Sequence, residues 1–281
     1  DPVRAARQPW RNPIERTTHE AYLVMPLNLE TSYRRHLYDH YLSTHFGGIH
    51  HPSAASLERE RRVWRDYFGP LLPANKAARI ADLGCGYGSF LYFLHEEGYR
   101  NIAGVDISAE QVDSARKLGI PNVVQDDSWK FLESRRQEFD CLTALDLLEH
   151  LAKEESLSLL HAAHSALRPG GLLIVKAPNA DGPFGGKILY SDFTHEQAFT
   201  PLSIRQVLAA SGFERVEVYP EGPRVHGLIS AARWLAWKGI CLLLLLYMAV
   251  ETGRIRGHVL TQNLIAVARK PQRAPWEGAQ R

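Results

Sequence analysis

The sequence predicts an α/β fold, a parallel sheet with helices on both faces. Three observations predict it. Short apolar runs of strand length alternate with helical segments over about a hundred residues from Arg79 onward. Glycines close several of the helical segments, as at Gly98, Gly119 and Gly212. The stretch IADLGCGYGSF (80–90) sets Gly84, Gly86 and Gly88 between an apolar strand and a helix. That is where an open parallel sheet brings a ligand against its main chain.

The elements follow in order. Before the alternation begins, a helix is expected around Thr31–Tyr41 and another from Ser53 to Phe68, with Ser53 as N-cap and Gly69, Pro70 and Pro73 closing it. RIADLG (79–84) reads as the first strand and SFLYFLHEEG (89–98) as the first helix of the sheet region. NIAGVDIS, AEQVDSARKLG and NVVQDD continue as strand, helix and strand. After a short helix, FDCLTALDLLEHL starts as a strand, LSLLHAAHSALRPGG is a helix with a Pro-Gly-Gly stop, and LLIVKAP is a strand. SIRQVLAASG adds a helix, and FERVEVYP and TQNLIAVARK add two strands.

Composition narrows the function classes. The 281 residues carry a formal charge of +2, which argues against bulk nucleic-acid binding. Cys85, Cys141 and Cys241 are few and far apart, so neither a disulfide framework nor a zinc site is expected, and a reducing cytoplasmic setting fits. DPVRAARQPW lacks the apolar core of a signal peptide. Residues 1–75 read as a partly helical extension or cover, 76–270 as the main domain and 271–281 as a flexible tail. Within the extension, THFGGIHHP (44–52) holds three histidines, but nothing in their spacing fixes a metal site.

What would the glycines hold? A GxGxxG spacing favours a dinucleotide pyrophosphate. Here the spacing is GxGxG, and Asp82 precedes it by two positions. A carboxylate there repels a pyrophosphate and suits a cationic amino group. Asp106 ends the second strand, where a carboxylate accepts from ribose hydroxyls. Asp126 and Asp127 end the third, where one can accept from an adenine amino group. Amino acid, ribose and adenine are the parts of S-adenosylmethionine. The plainer readings stay open: turn glycines, and helix caps for Asp106 and Asp127, although Ser108 is the better cap beside Asp106.

DLGCGYG, GVDIS, the Asp127 region, FDCLTALDLLEHL and LRPGGLLIV resemble successive motifs of class I S-adenosylmethionine-dependent methyltransferases over residues 79–219. The resemblance implies a Rossmann-like seven-stranded sheet whose last strand is antiparallel and inserted beside the sixth. It places the cofactor on Asp82, Gly84, Cys85, Gly86, Tyr87, Asp106, Ile107, Asp127, Ser128 and Trp129, with Asp146 beside it. A nicotinamide-dependent oxidoreductase and a non-catalytic cofactor binder are the competing readings.

Methyl transfer to a hydroxyl is helped by a base, and histidine suits neutral pH. His150 in LDLLEHL and His195 in LYSDFTHEQAFTP compete for that role. Asp192, three residues before His195, is an acid able to fix its tautomer, with Glu196 beyond. A metal held by Asp192, His195 and His150 is the minority reading, so no metal is expected. DFTHEQAFTPLSIRQVLAASGF is similar to methyltransferases of polysaccharide, lipopolysaccharide and sugar tailoring, which points to a sugar or glycan hydroxyl as acceptor. A hydrophobic quinone- or lipid-like acceptor is the alternative.

The last two strands are separated by a long insertion, 220–258, with the most apolar run in the chain, GICLLLLLYMAV (239–250). Twelve residues are too few to span a bilayer. A helix buried in the domain or in a homodimer interface is the first reading. The others are a cover over the substrate site and a helix, 234–250, resting on a membrane surface or gripping a lipid-linked substrate, which would place the protein peripherally at the inner face of the membrane.

Overall fold

The strand before the glycines is β1 (Ile80–Leu83), and all four of its residues are buried. It is an interior strand, paired in parallel with β2 (Ile102–Asp106) on one side and β4 (Phe139–Leu145) on the other. With β3 (Val123–Gln125), β5 (Leu167–Pro178), β6 (Glu214–Pro220) and β7 (Asn263–Arg269), the sheet runs β3-β2-β1-β4-β5-β7-β6. β7 is antiparallel to both β5 and β6, which is the expected seven-stranded order. The computed structural model describes residues 52–272 together with Arg34, Leu37, Tyr38, His40 and Tyr41. The histidines at 45, 50 and 51 lie outside the described residues, as does most of the helix expected at 31–41.

Helices cover both faces. α1 (Ala54–Phe68) starts at Ser53, whose hydroxyl accepts from Ser56 N–H while Ser56 reaches back to Ser53 N–H. α2 (Ser89–Glu96), α3 (Ala109–Lys117), α4 (Ser128–Glu133), α5 (Lys153–Ala166), α6 (Gly185–Leu189) and α7 (Pro201–Ala210) follow. Phe68, Phe90, Phe93 and Tyr99 pack with Ile80 and Ile102 on one side of the sheet. Leu148, Leu159, Leu160, Ile204 and Leu208 pack with Leu83, Leu142 and Leu173 on the other. Burial on both faces explains why these strands are apolar throughout rather than alternating.

Two expectations are corrected. α5 begins four residues earlier than expected and ends at Ala166, because the Glu155 carboxylate caps Ala152 N–H at 2.7 Å. LRPGG then belongs to β5, where Leu167 already pairs with Phe139. The apolar run 239–250 is part of α8 (Leu228–Thr252), a helix of 25 residues, none of them buried. The reading of a helix buried in the domain is therefore overturned. The cation at Lys238 interrupts the apolar run in the sequence but not the helix.

Candidate active site

The chain turns to opposite faces of the sheet after β1 and β4, so their carboxyl ends open a crevice. Gly84, Gly86 and Gly88 all have positive φ there, from +55° to +81°. Gly88 needs the missing side chain most, because a Cβ there would come within 2.8 Å of the Ile120 side chain. At Gly86 a Cβ would meet the Gln111 side-chain amide in ordinary contact, at 3.7–3.8 Å, so the positive φ and not crowding is what calls for glycine there. Gly88 is the left-handed N-cap of α2.

Three carboxylates stand at the carboxyl ends of β1, β2 and β3. Asp82 is 2 % exposed, and its Oδ1 accepts from Thr143 Oγ1 at 2.6 Å. Burial, with the charges of Asp106 and Asp146, raises its pKa to about 7 against the opposing Thr143 bond. Asp106 accepts from Gly86 N–H and Ser108 N–H, both at 2.8 Å, so it ties the glycine turn to the start of α3. Burial raises its pKa and these two bonds oppose the rise. Asp127 caps α4, its Oδ1 accepting from Trp129 N–H at 2.8 Å and Lys130 N–H at 3.2 Å. Ser128 opens that helix, and Trp129 and Ile107 stand 40 % and 43 % exposed, an indole ring and an aliphatic side chain against which a planar base can pack. The Cys85 side chain packs beneath the loop, close to Gly104, so only its main chain can face a ligand. The Tyr87 hydroxyl donates to Glu60 Oε2 at 2.7 Å, directing it to α1.

Since Asp106 fixes the turn, replacing it carries a structural cost too. Asp106→Ala should lose about 1.5–3 kcal/mol for each charged hydrogen bond, lowering the thermal midpoint as well as cofactor affinity. Differential scanning calorimetry with and without S-adenosylhomocysteine separates the two losses.

The other wall follows β4. Asp146 has φ +56°, a left-handed conformation unusual for a side chain other than glycine, at the end of that strand. Lys176 holds it, Nζ to Oδ2 at 2.7 Å. Burial disfavours the Lys176 charge, but Asp146 and Glu221 outweigh it and keep the ammonium above its ordinary pKa. Next comes a short 3-10 turn, Leu148–His150, that buries Glu149 and presents His150.

His150 Nδ1 lies 2.8 Å from Thr194 Oγ1. That hydroxyl donates to Asp192 Oδ1 at 2.7 Å, so it accepts from His150 and places the ring proton on Nδ1. Nε2 is left as an acceptor. Burial, then the neighbouring His195, lowers the His150 pKa to about 4, so the ring is neutral near pH 7. Asp192 thus orients His150 through Thr194, and not His195 as its spacing implied. Its Oδ2 also accepts from Tyr41 Oη at 2.6 Å. His195 points Nδ1 at the Ile188 carbonyl, 3.2 Å away, with its ring centroid 4.8 Å from that of His150. Glu196 pairs with Arg34.

Glu149 Oε2 has no hydrogen-bond partner among the described residues, and burial followed by the Asp146 charge pushes its carboxyl well up. One ligand atom from each of Glu149, His150 and His195 lies within 4.8 Å of the others, so these three, and not Asp192, are the groups able to share a cation. Sequence reasoning missed Glu149, Thr194, Lys176 and Tyr41. Thr194 had a signal: Asp-x-Thr is an Asx-turn pattern, and Thr194 N–H donates to Asp192 Oδ1 at 2.8 Å.

A methyltransferase-domain family model matches residues 38–218, well over half of the chain. The chain belongs to the methyltransferase-domain family. Its relatives include the ubiquinone biosynthesis O-methyltransferase of Klebsiella pneumoniae, 24 % identical over 48 % of this chain and 63 % of that protein. The tRNA 5-carboxymethoxyuridine methyltransferase of Escherichia coli K12 is 26 % identical over 63 % of this chain and 67 % of that one. A SAM-dependent methyltransferase from Archaeoglobus fulgidus has a similar fold, with TM-score 0.58 and 22 % identity over 76 % of this chain and 94 % of the other. The chain spans less than two thirds of the length of the ubiquinone enzymes it matches. S-adenosylmethionine is the cofactor of this methyltransferase domain, and the residues present suit it. A buried acid with a raised pKa suits a cationic amino group, three positive-φ glycines keep side chains off the turn, and Ile107 and Trp129 offer apolar surface.

Proposed function

We propose that this methyltransferase acts on a hydroxyl oxygen, with His150 as the base. The observation that carries the reading is the Asp192–Thr194–His150 chain, which leaves a neutral imidazole with an Nε2 lone pair close to Glu149 in the turn after β4. S-adenosylmethionine, when bound, supplies a sulfonium methyl to the acceptor oxygen, and the electron pair of the broken carbon–sulfur bond stays on sulfur as S-adenosylhomocysteine. Asp82, ionised by a neighbouring ammonium, holds the amino-acid end. Asp106, through the glycine turn, keeps the main chain in place for the ribose. Asp127, Ser128 and Trp129 take the adenine side. His150 Nε2 receives the hydroxyl proton, and the resulting cation is shared with Thr194 and Asp192. Tyr41 closes Asp192 from solvent, so part of the extension before residue 75 serves as a wall of the site.

Two acceptor classes remain. The similarity of 192–213 to sugar-tailoring enzymes supports a sugar or glycan hydroxyl. The ubiquinone-pathway relatives and the exposed apolar α8 support a hydrophobic phenol or quinol. A panel of glycan, quinol and tRNA acceptors, with S-adenosylhomocysteine formation as readout, tests the reading. Turnover on a hydroxyl acceptor is the expected result. Methylation confined to nitrogen or carbon would remove the need for His150 as base.

A further inference from the structure

We propose that α8 lies flat in one leaflet of an anionic membrane, at the rim of the active site, without crossing the bilayer. The proposal goes beyond the methyl-transfer reading. The helix is 25 residues long and apolar enough to span, yet none of its residues is buried. Leu235, Leu242, Leu246 and Val250 fall on one face by their spacing and are 61–82 % exposed. Ile240, Leu243 and Tyr247 extend the same surface. So much contiguous apolar surface on a helix needs a cover.

The two ends of the helix decide its orientation. Just before it, Tyr67 Oη donates to the Gly222 carbonyl, and His226 Nε2 lies 3.0 Å from Asp66. Trp237, within the helix, lies near Gly222. Just after it, His258 pairs with Asp181 at 3.3 Å, and Asn179 Nδ2 donates to the Val259 and Thr261 carbonyls. Only 253–257 are free, which reach ~18 Å when fully extended. A bilayer core is ~30 Å thick. A spanning α8 would need its far end returned across lipid as bare backbone carrying Arg254 and Arg256, and lipid does not admit that. Both ends therefore stay on the domain's side.

Charge names the partner. Residues 222–258 hold Arg224, Arg233, Lys238, Arg254 and Arg256 against one carboxylate, Glu251. Cations flanking an apolar helix fit anionic headgroups above acyl chains. The insertion also touches the chemistry. Asp181 and Asn179, which dock residues 258–261, begin the loop that carries Asp192, Thr194 and His195. Where the methyl-transfer reading holds, the acceptor is then a hydroxyl compound dissolved in that leaflet.

Cys85 and Cys141 are buried and Cys241, on α8, is not, so a fluorophore can be placed at Cys241 alone. The labelled full chain is mixed with phosphatidylcholine vesicles, with and without phosphatidylglycerol, and no methyl donor. Expected is partition onto the anionic vesicles, with stronger quenching by a shallow spin-labelled lipid than by one labelled at the bilayer centre. Arg254→Gln with Arg256→Gln should weaken partition about tenfold or more, and Leu242→Glu with Leu246→Glu should abolish it while S-adenosylhomocysteine binding persists. Stronger quenching from the bilayer centre would overturn the flat orientation. No partition by a chain that still binds S-adenosylhomocysteine, or a dimer dispersed by the Leu242 and Leu246 changes, would overturn the membrane assignment and leave the methyl-transfer reading standing.

Discussion

His150→Ala is expected to lower kcat by about 10²–10⁴, the range for a lost general base, with cofactor affinity unchanged. The ring acts through Nε2 because Thr194 and Asp192 hold the proton on Nδ1. Thr194→Val should therefore lower kcat as well, by less, because the imidazole remains but loses its orientation. His195→Ala leaves that chain intact and should cost less than His150→Ala. The pH profile gives an independent check. With a pKa of about 4, His150 stays neutral well below the range of an ordinary histidine, so kcat at saturating cofactor should be flat from pH 8 down to about pH 5. Rapid-quench measurement of the methyl-transfer step reads both. A His150→Ala enzyme with full turnover would move the base elsewhere.

Asp82→Asn should weaken S-adenosylhomocysteine binding about ten- to a hundredfold at pH 8, the value of a charged hydrogen bond. The carboxyl is buried and titrates near pH 7, while an ammonium ligand needs it ionised. Wild-type affinity should therefore rise about tenfold per pH unit below 7 and level off above, with proton release on binding. The asparagine variant should show no such slope. Stability runs the other way. The folded pKa of Asp82 is raised above its unfolded value, so its contribution is greatest below about pH 4 and is lost as pH rises through 7. The empty Asp82→Asn protein should thus melt higher than wild type at pH 8, and less so at pH 5. Calorimetric titration and thermal scans across that range check both signs.

The sheet was legible in the sequence because its strands are apolar on both faces and its connections end in glycine. Boundaries were less so: LRPGG looked like a helix stop, but Leu167 already pairs with Phe139, and Gly170, at φ +77°, lies where the register shifts before Leu172 pairs with Cys141. α8 was misjudged because an apolar count stops at Lys238, whereas a helix continues through a residue whose ammonium can reach the Trp234 ring, 5.2 Å away. The cofactor side rests on short-range spacing, which a sequence displays. The acceptor side rests on contacts that spacing hides. Asp192 is three residues from His195 yet serves His150, 42 positions away, because the loop after β5 folds back over the 3-10 turn. Tyr41 and Arg34 arrive from still farther along the chain.

The most direct measurement is calorimetric titration of S-adenosylhomocysteine into the wild-type chain at pH 6 and pH 8, with NAD as control. Binding of S-adenosylhomocysteine alone, tighter at pH 8 and accompanied by proton release, is the expected result. Preference for NAD, or binding indifferent to pH, would contradict the account of the glycine turn and of the acid beneath it.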